Sequence, residues 1–179
     1  MARYGDISGS RKTGSGIKFE IDAQGMTREI ERAMRGLTEV KIVKGMQIGL
    51  RNFAELVAQD VRENAPAKHL RENVSVKSVE VEGIGKYKVN IIVDTPDARA
   101  WEFGSGEHAT KGTPKRYLIK PKEGNKSLSF YWKTKGKWVV LPKVHHPGIA
   151  AKPYLAPAMR RNLRRINVLI AEGIRSVKY

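Results

Sequence analysis

Cysteine is absent from this 179-residue chain, which excludes disulfides and thiolate metal sites and agrees with a reducing compartment. Long apolar runs are missing as well. Nothing approaches the roughly 20 consecutive apolar residues of a membrane-spanning helix, and residues 1–17 are rich in Gly, Ser and Arg where a signal peptide would be apolar. The expectation is a protein of cytosolic origin without a membrane partner. Acidic residues are scarce in one part only. Residues 1–108 hold 17 basic and 16 acidic side chains, whereas residues 109–179 hold 17 basic and two acidic, so nearly all of the formal charge of +16 sits in the C-terminal part. Such asymmetry marks a surface that meets a polyanion, either nucleic acid or an acidic protein, unless it is only a solvated basic face. What is present, 40% hydrophobic residues, lets one domain bury roughly 70% of its unfolded surface.

The pattern along the chain predicts an α+β fold, with an antiparallel sheet packed by a long helix from the N-terminal half and by a C-terminal amphipathic helix, and with a projecting β-hairpin at about 127–141. Residues 1–17 read as a flexible arm, because Gly5, Gly9, Gly14, Gly16 and the serines between them offer too little apolar surface to offset ordering. Residues 18–179 read as a single domain. A short helix carrying Ile30 and Met34 stops at Gly36; a longer one carries Val43, Met46, Leu50, Phe53, Ala54, Val57 and Val61, with Thr38 as N-cap and Pro66 as its end. A first hairpin places Val74, Val76, Val79 and Val81 before Gly83-Ile84-Gly85 and Tyr87, Val89, Ile91 and Val93 after it, with Lys86, Lys88 and Asn90 facing out. Its phase slips between Val76 and Val79, so a bulge near Lys77 should absorb one residue. Residues 116–119 read as a further strand. In a second hairpin Leu128, Phe130 and Trp132 alternate, Lys135-Gly136 supplies the turn, and residues 138–141 return. With Trp132 set opposite Val139, Tyr131, Trp138 and Val140 share the second face, so both faces are apolar and one should meet another subunit or element. After Pro153, Leu155, Met159, Leu163, Ile166, Ile170, Ile174 and Val177 follow a helical period, flanked by Arg160, Arg161, Arg164 and Arg165.

Catalytic chemistry finds little to work with. Glu102, Glu107, His108, His145 and His146 offer metal-ligand types, but adjacent histidines in a strand point to opposite faces and no helical two-ligand spacing occurs. Gly104-Ser105-Gly106 lacks the Gly-Lys-Ser/Thr ending of a phosphate loop, and no Gly-x-Ser-x-Gly elbow is present. The reading is therefore no enzyme, with no catalytic residue, metal or cofactor. His146-Pro147-Gly148 reads as a rigid turn, since Pro fixes φ and Gly permits a positive one. Nucleic-acid binding is the rival reading: Lys111, Lys115, Arg116, Lys120, Lys122, Lys126, Lys133, Lys135 and Lys137 interleave with Tyr117, Phe130, Tyr131, Trp132 and Trp138, which could neutralise phosphates and stack bases. No helix-turn-helix, zinc-finger or RNA-recognition consensus accompanies them, and the same aromatics alternate as sheet residues.

The order of Asn64-Ala65-Pro66 at a helix end, Leu70-Arg71-Glu72-Asn73-Val74 opening a strand pair, Ala98-Arg99-Ala100-Trp101-Glu102-Phe103-Gly104, His146-Pro147-Gly148 and Pro153-Tyr154-Leu155 resembles the tail-completion (neck, or minor head-tail joining) proteins of long-tailed bacteriophages, including relatives of the phage lambda tail-completion protein. In that family the similar order is a helix ending in Ala-Pro, a Leu-Arg step, a Tyr/Val-Glu-Phe-Gly-Thr motif and a Pro-Phe-Leu-x-x-Ala helix start. Here Trp101 precedes the Glu, Ser105 replaces the Thr and Tyr154 replaces the Phe. The resemblance implies a structural virion protein of the neck, assembled in the host cytoplasm, that completes the tail and joins it to the DNA-filled head. It implies a ring of six copies between a head-completion or stopper protein and tail-terminator or tail-tube proteins, with non-specific contact to channel DNA. The alternative is a basic nucleic-acid-binding accessory protein. Contacts between protomers or with a neck partner are expected at Trp132, Lys133, Lys135, Lys137 and Trp138 and at Arg160, Arg161, Arg164 and Arg165. Residues 100–106 either let a strand or short helix approach a neighbour closely or form an internal turn closed by Trp101 and Phe103.

Overall fold

A computed structural model describes residues 17–22, 28–83, 86–110 and 114–177. The chain groups into two compact units, one of Met1–Arg99 with Pro153–Tyr179 and one of Ala100–Lys152. The expected N-terminal arm lies, through residue 16, outside the described residues. From Ile17 the chain is a strand, β1 (Ile17–Asp22), an element beyond those expected.

In the first unit β1 is followed by α1 (Arg28–Met34), α2 (Glu39–Asn64), α3 (Lys68–Glu72), β2 (Val74–Val76), β3 (Glu80–Gly83), β4 (Lys86–Val93) and the start of α4 (Ala98–Phe103). The chain re-enters it at α5 (Leu155–Asn162) and α6 (Ile166–Ser176). The fold is α+β. All four strands form one antiparallel sheet with β4 at its centre, β1 on one edge, and β2 then β3 along the other. Val76 pairs with Ile91 and Glu80 with Lys88, so four residues are passed on one strand for three on β4. The extra residue falls where the bulge was expected, and the Lys77 N–H still donates to the Asn90 carbonyl at 2.9 Å. The hairpin tip, residues 84–85, lies outside the described residues.

Two expectations for this sheet are corrected. Asn90, on the face of β4 opposite the odd residues, is not solvent-exposed as expected; it is buried, 3% exposed, on a central strand flanked by neighbours on both edges. The segment Leu70-Arg71-Glu72 is helical, and the strand opens only at Val74. Leu70 is fully buried and the Arg71 side chain donates from Nε to the Ala65 carbonyl at 2.7 Å, which ties this turn to the end of α2.

The sheet carries its helices through the odd residues of β4. Tyr87, Val89, Ile91 and Val93 are buried, as are Met46, Leu50, Phe53, Ala54, Val57, Ala58 and Val61 of α2, which packs on β2 and β4. Thr38 occupies the N-cap with extended backbone angles, although its hydroxyl makes no capping bond, and Ala65 is extended as the residue before Pro66 must be. The C-terminal helical stretch docks on α1 and α2. It is interrupted by a 3-10 turn at Leu163–Arg165, with Leu155, Ala158, Met159, Ile170, Ala171 and Ile174 buried and Leu163 and Ile166 half-buried. Where α2 crosses α6 the backbones touch: a Cβ on Gly49 would fall on the Ile170 backbone, one on Gly45 on that of Ile174, and one on Gly173 on that of Gly49. Three glycines, none of them part of the apolar stripe, set this crossing.

The second unit contains β5 (Tyr117–Ile119), β6 (Leu128–Trp132), β7 (Lys137–Leu141) and β8 (Val144–His146). β5 pairs with β8, and the β6–β7 hairpin lies between them in sequence as a separate two-stranded sheet. From Phe103 to Ala151 no described residue is buried.

Candidate functional site

Two of the motifs that carry the resemblance, those ending at Gly104 and beginning at His146, about 40 residues apart in sequence, are joined through the residues beside them within the second unit. They run antiparallel. The Ser105 N–H donates to the Ile149 carbonyl at 2.9 Å, the Ile149 N–H donates back to Ser105 Oγ at 2.9 Å, and the Glu107 N–H donates to the Pro147 carbonyl at 2.6 Å. Farther along, the Lys152 N–H donates to the Trp101 carbonyl at 2.7 Å. Thr110 ties the same segment from the other side, its N–H and Oγ1 both donating to the Phe103 carbonyl at 2.8 Å.

This clasp explains why the motifs have the composition they do. Gly148 has φ +105° and lies so close to the Ser105 carbonyl that a Cβ would overlap it; Gly106, at φ +61°, faces the Pro147 carbonyl in the same way. Both positions need a backbone that only glycine adopts freely, at a point where two chains cross without room for a side chain. His146 supports the turn, its Nδ1 accepting from the Gly148 N–H at 2.9 Å while its ring lies 5.3 Å from that of Tyr117. Ser105 uses its hydroxyl as the acceptor for the Ile149 N–H. The short segment 98–103 is helical and is followed by a crossing of chains within the unit, the geometry of the internal-turn alternative for residues 100–106.

The remaining motif residues are distributed around this point. Trp101 is half-buried with Lys152 Nζ 5.8 Å from its ring centroid, Phe103 is half-buried, and Gly104 has φ +72°. Glu102 is buried, 2% exposed, the one charged side chain so placed among those described. Pro153 is exposed before α5, whereas Tyr154 and Leu155 are buried in the first unit, Tyr154 reaching the Ala98 carbonyl at 3.5 Å.

The hairpin carries the expected interface residues, with a changed register. Trp132 lies opposite Lys137, not Val139; Val139 faces Phe130, Leu141 faces Leu128, and Trp138 faces Tyr131. The cause is the turn, in which the 3-10 residues Lys133–Lys135 and left-handed Gly136, φ +61°, take up the four positions between Trp132 and Lys137. A slip of two leaves the faces unchanged. One face holds Leu128, Phe130, Val139 and Leu141, all half-buried, with Trp132 covered by the Lys135 ammonium 4.2 Å from its ring centroid. The other holds Tyr131, Trp138 and Val140, which are 50%, 69% and 64% exposed; the two rings meet edge to face at 6.0 Å. Lys133, Lys135 and Lys137 are exposed.

The four arginines belong to the first unit and separate into two kinds. Arg160, Arg164 and Arg165 are exposed on α5 and the following 3-10 turn. Arg161 is not a free outward charge: its Nε donates to Asp60 Oδ2 at 2.9 Å and its NH2 group to Asp60 Oδ1, joining α5 to α2, while Asn162 Nδ2 adds a bond to Asp60 at 2.8 Å. The Arg161 guanidinium, more than the opposing effect of burial, holds the Asp60 carboxyl below its ordinary range. Among the described residues no three His, Asp or Glu side chains form a metal-binding group, and no helix is long and apolar enough to cross a membrane.

Comparison with known families bears on this arrangement. Residues 28–104 match the HK97-gp10-like model, described as "Bacteriophage HK97-gp10, putative tail-component". The chain is similar to a phage tail component. The matched segment runs from α1 through the sheet to Gly104, so it takes in α2 and the Trp101-Glu102-Phe103-Gly104 motif and ends short of the hairpin and the arginines. No curated protein and no solved structure matches the chain.

Proposed function

We propose that the chain is a structural protein of the phage virion that sits in the neck, completes the tail and joins it to the DNA-filled head, acting by ring assembly and not by catalysis. The observation that carries this reading is the match of residues 28–104 to a phage tail-component model. The geometry agrees with it. The resemblance motifs are engaged in holding backbone to backbone, a structural task, and the largest exposed apolar side chains of the second unit sit on a lysine-rich hairpin. On this reading copies of the chain form a six-membered ring, in line with the tail-completion relatives of phage lambda. A head-completion or stopper protein lies on one side and a tail terminator or tail tube on the other. The exposed arginines Arg160, Arg164 and Arg165 and the hairpin are the surfaces offered to neighbours, with DNA in the channel as a non-specific contact.

Deleting the coding sequence from the phage that carries it should yield filled heads and separate tails in electron micrographs, restored to joined particles by the wild-type chain. Joined, infectious particles without it would reject the proposal. Native mass spectrometry of the purified chain should show a closed ring, and a ring that forms only on added DNA would favour the nucleic-acid-binding alternative.

A further inference from the structure

We infer that the Tyr131–Trp138–Val140 face of the hairpin is a docking surface for a different polypeptide, an apolar patch bordered by carboxylates on a neighbouring neck protein, and that it is neither a nucleic-acid platform nor a contact between copies of this chain. The inference rests on the neck reading above and names the partner of one surface within it.

Three observations choose this occupant. The face is apolar and open, with Trp138 69% and Val140 64% exposed, and an isolated two-stranded hairpin with such a face lacks the second layer that sheets of this kind need. Around it the charge has one sign. Lys133 sits in the turn and Lys126 and Lys143 just beyond the open end, all exposed, while Lys135 and Lys137 lie on the Trp132 face of the same hairpin. The second unit as a whole has 11 basic residues and three acidic ones, so two copies of the hairpin face to face would set like charges against each other. The first unit is also net basic, with 23 basic residues against 15 acidic. The complement to this charge is a carboxylate-bordered apolar surface on another protein.

Nucleic acid fits the geometry poorly. Tyr131 and Trp138 meet edge to face at an interplanar angle of 67°, so they do not present the parallel ring faces on which successive bases stack. On the other side of the hairpin the Trp132 face is occupied by Lys135. Val140, 64% exposed on β7, offers neither a base nor a phosphate a polar contact and gains only from an apolar partner. Aromatic and aliphatic anchors inside a charged border are the arrangement of a protein interface, with the anchors holding the complex and the border steering it.

The test uses the full-length chain as wild type, Trp138→Ser, Tyr131→Ser and the triple Lys133→Glu/Lys135→Glu/Lys137→Glu variant. The probes are the purified head-completion and tail-terminator proteins of the same phage and a 30-base-pair DNA duplex. Wild type should bind one of the two proteins. Trp138→Ser and Tyr131→Ser should weaken that complex by about tenfold or more, and the triple variant should slow its formation and remove most of its salt dependence. Thermal unfolding and the ring seen by native mass spectrometry should stay as in wild type. If Trp138→Ser breaks the ring while partner binding by the remaining protein is intact, the occupant is a second copy. If only duplex binding falls, it is DNA. If wild type binds a neck protein and both serine variants bind it equally well, the hairpin assignment fails and the neck reading stands; if wild type binds neither protein, both fall.

Discussion

Phe53 and Gly49 show the two ways in which a single residue of α2 matters. Phe53 is fully buried, so Phe53→Ala should cost about 3–5 kcal/mol in a urea titration, while Arg51→Ala, at an exposed position on the same helix, should stay within about 0.5 kcal/mol. Gly49→Ala adds one methyl group and should still cost about 1–3 kcal/mol, because that methyl meets the Ile170 backbone and the two helices must separate to admit it. Equal stability of this variant and wild type would show that the crossing is looser than the structure has it. The first effect is legible from sequence and the second is not. A large apolar residue at three- and four-residue steps announces its burial, whereas the role of Gly49 depends on which backbone lies opposite, a fact held by residues more than a hundred positions away. Asn90 failed for a related reason: alternation gives the face of a strand, but it does not say whether that face is covered.

At the level of elements, the pair joining α2 to α5 makes a signed prediction. Asp60 ionises more readily in the folded chain than in the unfolded one because Arg161 faces it, so its contribution is present above the ordinary carboxylate value of 3.8 and is lost as pH falls through the lower folded value. Unfolding of wild type and Asp60→Asn should therefore differ by a constant amount from neutral pH down to about pH 5, and the gap should narrow progressively as pH falls below about pH 4. A gap that did not narrow in acid would mean that packing, not charge, is being measured. Arg161→Glu should destabilise the chain by about 1 kcal/mol or more, whereas Arg165→Glu should leave unfolding nearly unchanged and act on particle joining instead. The helical period located these arginines on the flanks of the C-terminal stretch. It could not distinguish Arg161 from the others, since nothing local to residue 161 records that Asp60 would lie across from it. Other elements were open to reading: β1 has the alternation of Ile17, Phe19 and Ile21 with charged residues, and the one-residue step in the first hairpin was visible as a break in the spacing of valines.

For the whole molecule, the two units have different sources of order. The first has a continuous buried core under a four-stranded sheet; the second, between Phe103 and Ala151, has none among its described residues. Amide exchange should be slowest in β4 and the middle of α2 and much faster in β6 and β7, with the hairpin slowing when a neck partner is bound. A hairpin as protected as β4 in the free chain would contradict the absence of a core. The general class of the fold, helices on an antiparallel sheet, follows from periodicity, while the joining of residues 101–107 to 147–152 does not, because it is made of main-chain bonds that any sequence of suitable shape could form. That joining has a mechanical meaning. The segment from 110 to 146 leaves and returns through the clasp, so a pull on the hairpin tip loads the Ser105–Ile149 and Glu107–Pro147 bonds before it can extend the chain on either side. The loop behaves as a tether with a knotless buckle at its root, and the glycines at positions 106 and 148 are what allow the buckle to close.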